Sequence, residues 1–156
     1  MTEPIVVWGG GAIGGTLAAY WARAGIPVLL VDIVREHVEA CRTTGIRIEG
    51  SVEEFTQIVP AATPDEVAGT YACIVLAVKA QATEAALAGL LPHLAPDGFV
   101  LSAQNGLNEI TIARLAGEGK LETRVDGEKE LHMTLKVDRD TLGGHERALV
   151  DGFFFG

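Results

Sequence analysis

The sequence predicts an α/β fold: a mostly parallel sheet wound with helices on both faces, followed by a C-terminal antiparallel hairpin. Three observations carry this reading. Short, wholly apolar runs stand at Ile5–Trp8, Val28–Val31 and 72–78, the pattern of parallel strands covered on both faces. Segments with helical apolar spacing alternate with those runs, as in successive strand–helix–strand units. A glycine cluster, GGGAIGG, joins the first strand to the first helix.

Taken in order, the first helix carries Ile13, Leu17, Tyr20 or Trp21, and Ala24 at helical spacing, and Gly25 supplies its stop. The small residues Gly15, Ala18, Ala19 and Ala22 suit close packing on a sheet. The second strand ends in Asp32, and residues 35–44 read as a second helix with Val34, Val38 and Cys41 on one face. Residues 46–49 and 55–59 alternate weakly around Gly50-Ser51, which predicts a short hairpin or an edge strand plus a loop. Thr63-Pro64-Asp65-Glu66 has the N-cap and first-turn chemistry of a helix start.

After the 72–78 strand comes Lys79. A helix should follow, with Thr83, Ala86, Leu87, Leu90, Leu91 and Leu94 on one face, then a turn at Pro96-Asp97-Gly98 and a strand at 99–102. Gln104-Asn105-Gly106 lies at the C-terminal edge of that strand, and Asn108 is placed to cap a helix running to about Gly117. Beyond it, Leu121, Thr123 and Val125 alternate, as do Leu131, Met133, Leu135 and Val137, with the turn dipeptide Asp126-Gly127 between them. The terminal Phe153-Phe154-Phe155 is expected to dock into a groove or to have been covered by a continuation.

The glycine cluster carries the first chemistry. Gly9, Gly11 and Gly14 fit G-x-G-x-x-G, the fingerprint of a dinucleotide-binding turn. The first glycine allows the tight turn, the second clears space for a pyrophosphate, and the third lets the helix lie against the sheet. The amides of Gly10, Gly11, Ala12, Ile13 and Gly14 then face an anion at the positive end of the helix. Asp32 lies 18 residues beyond Gly14, where the fingerprint expects a carboxylate for ribose hydroxyls. These observations make the fold Rossmann-like and the expected ligand a dinucleotide.

Composition excludes other classes. Hydrophobic residues at 48% and charged residues at 21% describe a globular chain, and 156 residues suffice for one proper core. A formal charge of −9 argues against nucleic acid, whose affinity rests on Lys and Arg neutralising phosphates. Cys41 and Cys73 match no zinc or redox spacing and read as buried thiols in a reducing compartment. The N-terminus lacks a signal-peptide pattern and no apolar run reaches membrane-spanning length, so a soluble, cytoplasmic protein with no membrane partner is expected.

Three pieces at successive strand ends then point to one family. The segment GGGAIGG, Ala77-Val78-Lys79-Ala80, and Ser102-Ala103-Gln104-Asn105-Gly106-Leu107 together resemble the N-terminal domain of ketopantoate reductases (2-dehydropantoate 2-reductases) over about residues 4–116. The resemblance implies an oxidoreductase of pantothenate biosynthesis that reduces a 2-keto acid to a 2-hydroxy acid. It implies Lys79 and Asn105 at the nicotinamide end of the cofactor, with Asn105 also approaching the substrate. Lys79 can donate to ribose hydroxyls or a carboxylate, and the Asn105 amide can both donate and accept. The family mostly uses NADPH, whereas an acid at Asp32 repels a 2′-phosphate and favours NAD(H); Arg35 would act the other way, so the cofactor is NADP or NAD.

The resemblance also implies a second, mostly helical domain carrying the general-acid lysine and most substrate contacts. The sequence reads instead as a dinucleotide-binding domain over 1–117 and a divergent hairpin and tail over 118–156. Lys120, Lys129 and Lys136 lie in that tail, and no catalytic residue is assigned. Expected partners are a small 2-keto acid and, as an open alternative, further copies of the chain. The alternative function is a truncated, non-catalytic dinucleotide-binding module.

Overall fold

The computed structural model describes residues 3–104 and the strand segments 123–125 and 132–135. The strands of its main sheet are β1 (Ile5–Trp8), β2 (Val28–Val31), β5 (Ala61–Ala62), β6 (Tyr71–Leu76), β7 (Leu94–Gln104), β8 (Thr123–Val125) and β9 (His132–Leu135). They are ordered β5-β2-β1-β6-β7-β9-β8. The first five run parallel, and β9 and β8 extend the sheet antiparallel. A separate antiparallel hairpin pairs β3 (Ile46–Ile48) with β4 (Phe55–Gln57). The helices are α1 (Ala12–Arg23), α2 (Arg35–Thr43) and α3 (Thr83–Leu90).

Two apolar cores explain the unbroken hydrophobic strands. Side chains alternate faces along a strand. Ile5, Val7, Leu30, Val75 and Leu101 therefore share one core with Val38 and Cys41 of α2, against which Ile13, Leu17 and Trp21 of α1 pack. Val6, Trp8, Val31, Ile74, Leu76 and Val100 share the other with Ala86, Leu87 and Leu90 of α3. The sheet is thus covered on both sides, as predicted. Trp8 closes the second core at the strand end, stacking on His93 with ring centroids 6.3 Å apart. Cys41 and Cys73 are both buried.

Several local expectations change in the structure. The helix beginning at Thr83 ends at Leu90; a 3-10 turn spans Leu91–His93, and Leu94 already belongs to β7. Pro92 forces the tightening, since it cannot continue the α-helical hydrogen bonding. Pro96-Asp97-Gly98 is not a turn between elements but a bulge inside β7. Leu94 pairs with Tyr71 and Phe99 with Cys73, so residues 95–98 stand outside the ladder. The helix start at Thr63 propagates for only one 3-10 turn, Pro64–Glu66. Strand β6 stops at Leu76 rather than 78. Val34, expected on the buried face of α2, is 52% exposed because it is the residue before the helix, in extended conformation. The tail strands do pair, but Val125 faces His132, leaving 126–131 between them. The expected helix at 108–117 and the terminal phenylalanines lie outside the described residues. Among the described residues, no helix is long and apolar enough to cross a membrane.

Candidate cofactor site

The order of parallel strands reverses between β1 and β6, the switch point where open α/β sheets bind ligands at the carboxyl ends of their strands. Backbone bonds tie the end of β1 to both its neighbours, β2 and β6. The Gly9 N–H donates to the Val31 carbonyl at 2.8 Å and the Ala77 N–H to the Trp8 carbonyl at 2.8 Å. Gly9 has φ +114°, and a Cβ there would lie 2.8 Å from the Ala77 carbonyl carbon and the Val78 nitrogen. Only glycine fits this first position.

The next two fingerprint glycines face opposite circumstances. A Cβ on Gly14 would stand 1.8 Å from the Gly9 carbonyl oxygen, so α1 lies directly against the turn. A Cβ on Gly11 would meet nothing within 4 Å. The space over Gly11 is open to a ligand. Gly11 is also the N-cap of α1, with no side chain capping the helix and no acidic residue in the first turn. The Gly15 N–H makes the first helical bond, to the Gly11 carbonyl at 2.8 Å. The amides of exposed Ala12, half-buried Ile13 and buried Gly14 therefore begin a helix whose first turn carries no acidic side chain.

Gly10 has a partner on each side. Its N–H donates to Asp32 Oδ2 at 2.7 Å, and its carbonyl accepts from His37 Nε2 at 2.7 Å. The other Asp32 oxygen, Oδ1, accepts from the Val34 N–H at 2.8 Å. Asp32 thus stands at the end of β2 as expected, but each oxygen already holds one backbone amide. A carboxylate offers about four acceptor positions, so room remains for hydroxyl donors. Sequence reading missed His37. The one signal was its spacing: His37 and Cys41 are four apart on α2 and so share a helix face with the buried side. The Cys41 Sγ lies 3.7 Å from His37 Nε2, and burial, with the Asp32 charge second, pushes that thiol up.

The remaining candidates are placed separately. Arg35 points to the 3-10 turn, 3.5 Å from Asp65 and 3.6 Å from Glu66, with its side chain 62% exposed. Glu66 also meets Arg42 at 3.5 Å, and Arg42 pairs with Glu39 within its own helix. The Thr63 N–H donates to Glu66 at 2.9 Å and holds that carboxyl below its usual range. Lys79 is exposed, three residues beyond β6, and its carbonyl accepts from the Ala82 N–H at 2.9 Å. Asn105, Lys120, Lys129 and Lys136 lie outside the described residues. Among the described residues, no group of three or more His, Cys, Asp or Glu is arranged to hold a metal ion.

Comparison with known proteins gives the chain's family and supports its fold. A PanE/ApbA family ketopantoate reductase from Ralstonia eutropha JMP134 is 28% identical with a TM-score of 0.66, covering 80% of this chain and 42% of that one. A 2-dehydropantoate 2-reductase from Methylococcus capsulatus is 28% identical with a TM-score of 0.60, covering 72% of this chain and 37% of that one. Among curated proteins, the 2-dehydropantoate 2-reductase of Mesorhizobium japonicum is 38% identical over 103 residues, 66% of this chain. The chain spans 32% of that relative's length. The pattern of the family described as ketopantoate reductase PanE/ApbA matches residues 5–121, from the first buried strand through the glycine turn and beyond the end of β7. The chain belongs to the ketopantoate reductase PanE/ApbA family.

Proposed function

We propose that this chain is the cofactor-binding part of an NAD(P)-dependent reductase that converts a small 2-keto acid to a 2-hydroxy acid. The observation that carries it is the glycine turn at the sheet's switch point, open over Gly11 and continued by an uncapped helix end. That cradle fits a diphosphate: the first amides of α1 border it, and a Cβ at the second glycine would enter it. The dinucleotide supplies the hydride when bound.

The chain's own residues then divide the binding. Amides of Gly10, Gly11, Ala12, Ile13 and Gly14 hold or shape the diphosphate cradle, with Gly9 setting the turn. Asp32 takes ribose hydroxyls on its remaining acceptor positions. Ile33, 82% exposed beside Asp32, offers an apolar surface for an adenine ring. Arg35 is the group that would meet a 2′-phosphate, but Asp65 and Glu66 compete for it, which together with Asp32 favours NAD(H). Lys79 and Asn105 are assigned to the nicotinamide end by the family resemblance, with Asn105 also turned to the substrate.

Carbonyl reduction needs a proton for the developing alkoxide, and a positioned acid contributes roughly 10²–10⁴-fold. By the same resemblance that acid belongs to the family's helical second domain. The chain alone is therefore expected to bind cofactor and to oxidise NADH with ketopantoate far below the ~10 s⁻¹ typical of enzymes. Fluorescence titration with NADH and NADPH tests the reading. Saturable binding of at least one supports it, and binding of neither by the folded chain overturns it.

A further inference from the structure

We propose that His37 is a positioning residue of the glycine turn: together with Asp32 it holds the two consecutive peptide groups on either side of the Gly10 Cα and fixes the direction of the cradle's amides. The inference rests on the cofactor-binding reading above, but its central observation is independent of any ligand. The two peptide groups that meet at the Gly10 Cα are each held: the Gly9–Gly10 group gives its N–H to the Asp32 carboxylate, 22 residues away, at 2.7 Å, and the Gly10–Gly11 group has its carbonyl bound by the His37 imidazole, 27 residues away, at 2.7 Å.

The chemistry of the pair defines the imidazole's state at that atom. A carbonyl oxygen only accepts, so Nε2 carries the hydrogen and donates. Gly10 is the residue of the turn that cannot bend away unnoticed: a Cβ on it would lie 2.9 Å from Asp32 Oδ2 and 3.0 Å from His37 Nε2. This explains a glycine at a position the fingerprint leaves open. Gly10 is glycine because two side chains close on its backbone.

The consequence reaches the cradle through one bond. Gly11 follows directly, caps α1 and borders the open space, and its N–H lies in the same Gly10–Gly11 peptide plane as the carbonyl that His37 binds, so that bond sets the direction in which the Gly11 amide points. Asp32 alone would fix only the preceding plane, that of Gly9–Gly10. The imidazole fixes the Gly10–Gly11 plane itself, and it comes from α2, a helix packed in the same core as α1. The grip therefore ties the turn to a second element, so that the amides are held in place before a ligand arrives. Preorganised donors of this kind raise affinity by removing ordering cost at binding.

The test compares His37→Ala, which removes the donor, with His37→Gln, whose amide N–H₂ can reach toward the same carbonyl. Two readouts are taken on the full chain. Without ligand, amide hydrogen exchange at Gly10, whose N–H Asp32 holds, should speed up about two- to tenfold in His37→Ala as the turn loosens, and recover at least partly in His37→Gln. With ligand, the NADH and ADP dissociation constants should rise by a similar about two- to tenfold factor in His37→Ala, while adenosine, which lacks the diphosphate, is held as before. Unchanged exchange at Gly10 in His37→Ala overturns the grip. An equal loss for adenosine and ADP also overturns it, since the effect would then be general to the fold. If the wild-type chain binds no dinucleotide while exchange responds as expected, the grip stands and the cofactor reading falls.

Discussion

A Cβ added to Gly14 would sit 1.8 Å from the carbonyl oxygen of Gly9, a distance no real pair of atoms adopts without bonding. The neighbour is backbone, in the same peptide group as the Gly10 N–H that Asp32 holds at 2.7 Å, so it cannot swing aside. Gly14→Ala is therefore expected to push α1 off the sheet and cost about 1–3 kcal/mol or more of folding stability. Chemical denaturation would read this as a lower midpoint; a wild-type midpoint would contradict the close approach.

Gly11 is the counter-case. Its Cβ would touch no protein atom within 4 Å, so Gly11→Val should fold close to normally. The added side chain instead enters the space proposed for the diphosphate. NADH affinity is expected to drop about tenfold or more, ~1.4 kcal/mol at least. Equal affinity in the folded variant would remove the fingerprint reading.

Asp32 makes two predictions meet. The wild-type chain should bind NADH at least as tightly as NADPH, because a carboxylate accepts from a hydroxyl and repels a phosphate. Asp32→Ala should shift the ratio of the two dissociation constants toward NADPH, and it should also weaken both, since the Gly10 and Val34 amides lose their acceptor. Much tighter wild-type binding of NADPH would instead promote Arg35 over its contacts with Asp65 and Glu66.

The turn at Thr63 should give the fold an acid-sensitive joint. The Thr63 N–H lowers the folded-state pKa of Glu66 relative to the unfolded chain. A group of that kind contributes its stability at pH values above the ordinary glutamate value, about 4.3, and loses it as pH falls through the lowered value. Glu66→Gln should flatten the decline in urea midpoint over that acid range compared with wild type. Parallel declines in the two proteins would show that Glu66 has no part in it.

The sequence by itself determined the sheet and the turn. Ile5–Trp8 and Val28–Val31 are apolar at every position, which only a strand covered on both faces satisfies, and the three fingerprint glycines fix where strand becomes helix. Those signals are local, so they survive without the rest of the fold. Element ends were less legible: Pro96-Asp97-Gly98 carries turn chemistry, yet pairing of Tyr71 with Leu94 and Cys73 with Phe99 absorbs it as a bulge. What tertiary structure decided is which polar groups meet. The bonds from Asp32 and His37 to Gly10 span 22 and 27 residues, and Arg35 reaches Asp65 across 30 positions. No periodicity encodes such distances. They arise when β2 and α2 pack beside the glycine turn, and burial there makes an unpaired peptide group costly enough that a histidine closes on it.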